Sequence, residues 1–224
     1  MRNIGARRAD DTKEHEIKMA DMPTGQALRL QLALAQAVCT RLCHDLGGPA
    51  GALSGALEML DEPGDDAAEV ARDGARIIDR RLRFWRAAVG GPGGDLDAGA
   101  LSQLSEGLTL SRRASIDLTG LDEGALIPSD LTQPLLLAML LGVESLPRGG
   151  VLQVAGSPAQ RLTLRPEGPN AAWPPGIAEL AAGRVPAPTA RSVALPLLGA
   201  TAAAAGVRLV LEPGPGAGIL ALEV

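Results

Sequence analysis

Residues 24–61 read TGQALRLQLALAQAVCTRLCHDLGGPAGALSGALEMLD, and this stretch decides the fold of the N-terminal part. Its apolar residues recur every three or four positions, which is the repeat of one face of a helix. They are Leu28, Leu32, Ala35, Cys39, Leu42, Leu46, Leu53, Leu57 and Leu60. The spacing predicts a single helix from about Thr24 to Asp61, with a heptad-like seam along one side.

A second helix is predicted over residues 66–89, after a turn at 61–65 in which Asp65 would be the N-cap. The same spacing continues through Ala71, Ala75, Ile78, Leu82, Trp85 and Val89. A turn this short makes the two helices an antiparallel hairpin. We expect two hairpins from two chains to bury their seams in a four-helix bundle, so the protein would be a homodimer. The alternative is that the seam packs on the C-terminal part of the same chain.

The glycine-rich run at 90–94 predicts a linker between two domains. Beyond it, helices are predicted at 97–110, 130–146, 177–182 and 190–205, and strands at 113–118, 150–156, 160–165, 207–212 and 218–223. Helices and antiparallel strands in separate runs indicate a two-layer α+β domain. The predicted organisation is a disordered tail at 1–23, a helical hairpin domain at 24–91 and a second domain at 95–224.

Composition excludes several classes of function. The 224 residues carry 21 Lys and Arg against 26 Asp and Glu, a net charge of −5, so a general nucleic-acid binder is not expected. Aromatic residues make up 1%, which argues against stacking platforms for bases or sugars. No apolar run reaches membrane-spanning length and the N-terminus lacks an apolar signal core, so we expect a cytoplasmic protein.

The run from Arg41 to Pro49 breaks the rules of the helix that contains it. In the heptad frame, His44 takes the position farthest from the seam and should be exposed. Two interior glycines cost a helix about 1 kcal/mol each and an interior proline about 3 kcal/mol. Pro49 also leaves the carbonyl of Asp45 without its helical donor, which favours a kink. Gly47 and Gly48 lie on the same face as His44 and would leave room for a partner to approach the imidazole.

These residues together fit an exposed phosphoryl acceptor. A carboxylate at Asp45 would orient the ring of His44 and make its other nitrogen a better nucleophile. Arg41, three residues earlier, could hold a phosphoryl oxygen, so we assign Arg41, Gly47 and Gly48 to a partner-docking surface. A metal site is not predicted, because Cys39 and Cys43 face the seam whereas His44 faces away from it.

The sequence of residues 44–49, His-Asp-Leu-Gly-Gly-Pro, resembles the H-box of sensor histidine kinases. More closely, the run Leu42-Cys43-His44-Asp45 with Pro49 resembles the ChpT-type histidine phosphotransferases of alphaproteobacteria. The resemblance also takes in Phe84-Trp85-Arg86, the stretch 136–150 and the C-terminal Ala-rich helix and hairpin. It covers roughly residues 28–224.

The resemblance implies a dimeric phosphotransfer hairpin followed by a degenerate histidine-kinase ATPase-like domain. It implies a relay in which phosphorylated His44 carries a phosphoryl group from the receiver domain of a hybrid kinase to those of response regulators. The partner receiver would supply Mg²⁺. Ala138 and Gly142 stand where a kinase would place asparagines for nucleotide binding, and no Asp-x-Gly-x-Gly turn occurs. We therefore expect no bound cofactor, no ATP binding and no autokinase activity. The alternative is a non-catalytic dimeric scaffold for a signalling partner.

Overall fold

The computed structural model describes residues 25–59, 66–91, 93–110 and 112–224. The predicted tail and the predicted turn with its cap at Asp65 lie outside these residues. The two predicted long helices are α1, Gly25–Glu58, and α2, Asp66–Val89. They pack along each other as a hairpin, and α1 runs on through Pro49. At Gly74 of α2 an added Cβ would lie 3.2 Å from both the Leu53 Cβ and the Pro49 carbonyl oxygen, so the glycine permits the close crossing.

The second half is mixed α and β, as predicted. Its elements are β1, Leu96–Asp97; α3, Ala98–Thr109; β2, Ala114–Leu121; β3, Leu126–Ile127; α4, Ser129–Glu144; β4, Gly150–Ser157; β5, Arg161–Glu167; α5, Ile177–Ala181; α6, Ala194–Ala204; β6, Arg208–Glu212; and β7, Ile219–Glu223. Asp97 caps α3 by accepting a hydrogen bond from the Ala100 N–H at 2.7 Å. The short pair β1 and β3 was not predicted.

The predicted antiparallel pairing of the strands is wrong for one pair. The described strands form a five-stranded sheet in the order β2-β4-β5-β7-β6, and the pair β2 and β4 is parallel. The chain reaches β4 from β2 through α4, and a connection of that length allows parallel pairing. The remaining neighbours in this sheet pair antiparallel. Helix α4 is buried along nearly its whole length between the sheet and the other helices.

One core joins the hairpin to the second domain. Phe84, Trp85 and Ala88 near the end of α2 are buried together with Leu101 of α3 and Leu135 of α4. At Gly107 of α3 an added Cβ would come within 2.5 Å of the Arg80 carbonyl oxygen, so α2 and α3 touch backbone to backbone. The alternative prediction, packing of the seam on the same chain, is therefore observed at this end of α2.

Four leucines of the seam are left largely uncovered by their own chain. Leu28, Leu32, Leu57 and Leu82 are each about half exposed, with values from 47% to 57%. Cys39 and Cys43, predicted to lie inside the seam, are exposed in the single chain. None of the helices that the structure describes combines the length and apolarity needed to cross a bilayer.

Candidate active site

His44 projects from the middle of α1 into solvent. Its side chain is 85% exposed, as the heptad position predicted. The neighbouring helix surface is bare, because Gly47 and Gly48 are exposed and a Cβ added at either would meet nothing within 4 Å. The imidazole therefore stands beside an open strip of helix backbone that an approaching protein could reach closely.

Asp45 turns back toward His44 from the adjacent position. Its Oδ1 lies 3.4 Å from Nδ1 of His44, so the two groups are within reach of a hydrogen bond. This geometry directs Nδ1 toward the protein and leaves Nε2 as the ring nitrogen for an outside partner. The Asp45 side chain is only 16% exposed, and its other neighbours belong to the protein interior.

Two nitrogen donors fix the Asp45 carboxylate from the inner side. The Arg41 Nε lies 3.0 Å from both oxygens, and the Trp85 Nε1 donates to Oδ2 at 3.3 Å. Trp85 is itself 3% exposed and packs edge-on against Phe84, with ring centroids 5.8 Å apart, so its N–H is held in place by the core. The carboxylate is thus constrained in the orientation that faces His44.

The predicted position of Arg41 on the exposed docking surface is wrong. Arg41 is 8% exposed. Its Nη2 donates a hydrogen bond to Glu144 Oε1 at 2.5 Å, and its Nε donates to the Asp45 carboxylate. Burial lowers the pKa of the Arg41 guanidinium, but the two carboxylates outweigh burial and the pKa ends above its ordinary value. The guanidinium is therefore directed at two carboxylates of the protein itself rather than at an outside partner.

Arg81 of α2 supplies the donor that Pro49 removes from the helix. Its Nη1 donates to the backbone carbonyl of Asp45, the group that Pro49 leaves without an intrahelical partner. Burial lowers the pKa of Arg81; nearby Arg112 and Arg41 lower it further, and Asp45 partly offsets them. The carbonyl that Pro49 leaves without a donor inside the continuous helix α1 is thus satisfied by the neighbouring helix.

Sequence reasoning missed three residues of this arrangement: Arg81, Trp85 as a donor, and Glu144. Glu144 carried a usable signal, because it is an acid at the end of the apolar run LLLAMLLGV. Trp85 could also have been singled out, because it is one of two tryptophans in the chain. Ala138 and Gly142 on the same helix α4 face the core; a Cβ at Gly142 would lie 2.5 Å from a Leu152 methyl.

Comparison with known proteins shows the family of the chain. A family model described as the histidine phosphotransferase C-terminal domain matches residues 98–216, more than half of the chain. The chain belongs to the histidine phosphotransferase family.

Two known proteins are similar to this histidine phosphotransferase over more than two thirds of its length. The protein phosphotransferase ChpT of Brucella abortus (strain 2308) is 32% identical over 163 residues, which are 69% of this chain and 77% of that protein. A solved structure described as a bacterial phosphotransferase superposes with a TM-score of 0.68 at 28% identity, covering 86% of this chain and 96% of that one.

Proposed function

We propose that this histidine phosphotransferase relays a phosphoryl group between receiver domains through Nε2 of His44. The observation that carries the proposal is the exposed imidazole with Nδ1 beside Asp45 and a bare helix surface next to it. Membership of the histidine phosphotransferase family supports the same chemistry. Receiver domains of a hybrid kinase and of response regulators are the proposed partners.

The proposed step is an in-line displacement at phosphorus. The lone pair of Nε2 attacks the phosphorus of a phosphoryl-aspartate, the N–P bond forms, and the P–O bond to the aspartate breaks to return a carboxylate. The proton on Nδ1 stays in place, and Asp45 stabilises the positive charge that develops on the ring. The receiver would supply Mg²⁺ to its own phosphoryl group. Transfer to a second receiver reverses the same displacement.

The glycine strip explains how a folded receiver could come close enough. In-line transfer requires the reacting nitrogen and phosphorus to approach to about 3–3.5 Å before the bond forms. Side chains at 47 and 48 would occupy the helix face beside His44, whereas glycines leave the space open. Gly47 and Gly48 are therefore the proposed docking surface, and Arg81 satisfies the Asp45 carbonyl that Pro49 leaves without a helical donor.

We extend the proposal to a homodimer in which two hairpins form a four-helix bundle. The support is the half-exposed leucine seam of α1 and α2, which the chain itself leaves uncovered. Apolar faces of this kind are typically buried against another element. His44 would then lie on the outside of the bundle, so both chains of the dimer could present a site.

The experiment that tests the relay uses a receiver domain phosphorylated with radiolabelled phosphorus. The wild-type chain should acquire an acid-labile, base-stable adduct, and His44→Ala should acquire none. Because the side chain is 85% exposed, His44→Ala should keep the fold of the wild type.

The chain offers a matched control in His15, the only other histidine. His15→Ala should be labelled like the wild type. Label that persists on His44→Ala would place the acceptor elsewhere, and a wild type that binds its receiver but is never labelled would favour the scaffold instead.

A further inference from the structure

A single guanidinium connects the histidine-bearing helix to the second domain. Arg41 of α1 reaches Asp45 with Nε and Glu144, at the end of α4, with Nη2. The two partners lie in different parts of the chain, 103 residues separating Arg41 from Glu144. All three side chains are largely buried, with exposed fractions of 10%, 16% and 18% for Arg41, Asp45 and Glu144.

The bridging geometry of Arg41 determines how Asp45 faces His44. The Arg41 guanidinium is held by two carboxylates at once, with Nη2 at Glu144 and Nε at Asp45, and Arg81 also lies close to Asp45. The carboxylate of Asp45 held in this way has its Oδ1 3.4 Å from Nδ1 of His44. Without the Glu144 carboxylate, Nη2 of Arg41 would lose its ionic partner, and the guanidinium would hold Asp45 less firmly in the orientation that faces the imidazole.

We propose that Glu144, acting through Arg41, is a positioning residue for phosphoryl transfer. It holds the guanidinium of Arg41 and thereby keeps Asp45 oriented toward Nδ1 of His44. The second domain therefore sets the reactivity of a histidine that it does not touch. This inference rests on the proposed role of His44 as acceptor.

A second ion pair at the same boundary makes it possible to test whether Glu144 positions Asp45 or only holds the two parts of the chain together. Arg80 of α2 and Glu106 of α3 lie 3.2 Å apart, also joining the hairpin to the second domain. In the part of the chain that the structure describes, neither Arg80 nor Glu106 is hydrogen-bonded or ion-paired to Asp45. If Glu144 only fastened the two parts together, Glu106→Gln and Glu144→Gln would have similar effects.

The first readout is the rate at which phosphoramidate, a small donor that needs no docking, phosphorylates His44. The Nε2–P bond forms while the P–N bond of phosphoramidate breaks and ammonia leaves. Glu144→Gln should slow this reaction about three- to tenfold, the ordinary worth of one hydrogen bond. Glu106→Gln should react at the wild-type rate.

The second readout is the tautomer of the free imidazole, measured by ¹⁵N–¹H correlation spectra at a pH where the ring is neutral. The fraction with the proton on Nδ1 should fall in Glu144→Gln and stay unchanged in Glu106→Gln. Arg41→Lys keeps the positive charge but replaces the planar guanidinium, which reaches both carboxylates, with a compact ammonium group. It should therefore behave like Glu144→Gln.

The two readouts distinguish the possible failures. Equal rates and tautomer fractions in Glu144→Gln and the wild type would overturn the positioning role, and so would an equal loss in Glu106→Gln. If phosphoramidate and receivers both fail to label the wild type, the proposed function falls, while the tautomer measurement still decides whether Glu144 acts on the ring. Melting temperatures near the wild-type value confirm that each variant is folded.

Discussion

At the scale of residues, Asp45 combines a chemical and a structural role. Its carboxylate lies beside His44 and accepts from Arg41 and Trp85, while its carbonyl accepts from Arg81. The imidazole is exposed, but the group that orients it is anchored in the interior. The imidazole of His44 is therefore accessible from solvent, while the carboxylate beside it is held in place.

Asp45→Asn tests this double role. The amide keeps the size of the side chain but loses the charge, so we expect phosphoryl transfer to slow roughly tenfold or more. The free energy of unfolding should fall by about 1–3 kcal/mol, because Arg41 stays buried with one carboxylate fewer. Single-turnover transfer and urea unfolding measure the two effects.

Asp79→Asn is the matched control, since Asp79 pairs with Arg83 on an exposed face of α2, with an Nε–Oδ2 distance of 2.9 Å. It should change neither quantity by much. A transfer rate for Asp45→Asn equal to that of the wild type, at equal receiver affinity, would contradict the orienting role.

The exposure of His44 could be predicted from sequence, whereas the placement of Arg41 could not. Helical periodicity fixes which face a residue takes relative to its own helix. It does not reveal that α4 ends beside Arg41 and presents Glu144 there. Arg41 and Glu144 are 103 residues apart, so their contact produces no short-range sequence pattern. The burial of Arg41 is therefore evident only in the folded structure.

At the scale of elements, α1 carries a stretch that is a poor helix by its own composition. The glycines at 47 and 48 contribute no packing, because nothing lies within 4 Å of where their Cβ atoms would be. An exposed helix position gains from alanine over glycine by about 1 kcal/mol. The presence of two glycines here, despite the helix stability that they cost, is consistent with a surface that must lack side chains so that another protein can contact it.

Gly48→Ala should therefore stabilise the protein and impair the relay. We expect the free energy of unfolding to rise by about 1 kcal/mol. Transfer from a phosphorylated receiver should slow because the new methyl group stands beside the imidazole. Labelling by phosphoramidate should not change, since that donor is small.

Gly55→Ala provides the comparison, as Gly55 is also exposed with open space around it. It lies about 11 Å farther along α1 than Gly48, at 1.5 Å per residue. It should stabilise the protein similarly while leaving transfer closer to that of the wild type. A Gly48→Ala variant that transfers as fast as the wild type would contradict the docking role proposed for Gly47 and Gly48.

Most elements could be predicted from local pattern, and the strand order could not. The bounds of α2, α4, β6 and β7 agree with the sequence prediction to within two residues. The parallel pair β2 and β4 depends on α4 crossing between the strands, which is a property of the whole sheet. The two-residue strands β1 and β3 are too short to show a period.

At the scale of the whole molecule, the uncovered seam of the hairpin leads to a test of assembly. Leu32 is 57% exposed in the single chain, so Leu32→Glu should leave the fold of the monomer intact. In a dimeric bundle the same change would bury a charge against the partner hairpin, which is strongly unfavourable. Sedimentation equilibrium should show a dimer for the wild type and a monomer for Leu32→Glu at micromolar concentration.

Leu126→Glu is the control, because Leu126 is 55% exposed on β3 of the second domain, away from the seam. It should remain dimeric. A wild-type chain that is monomeric at every concentration tested would contradict the bundle and leave the seam to another partner.

The glycine-rich run after α2, predicted to be a linker, connects two parts of the chain that share one core. Phe84, Trp85 and Ala88 precede this run, yet they share one interior with Leu101 and Leu135, which follow it. The described parts of the hairpin and of the second domain are therefore packed together through one core. In the proposed relay, His44 would therefore stay in place relative to the second domain during transfer. The donor and the acceptor receivers would then contact the same surface beside His44 one after the other, so we expect them to compete for binding.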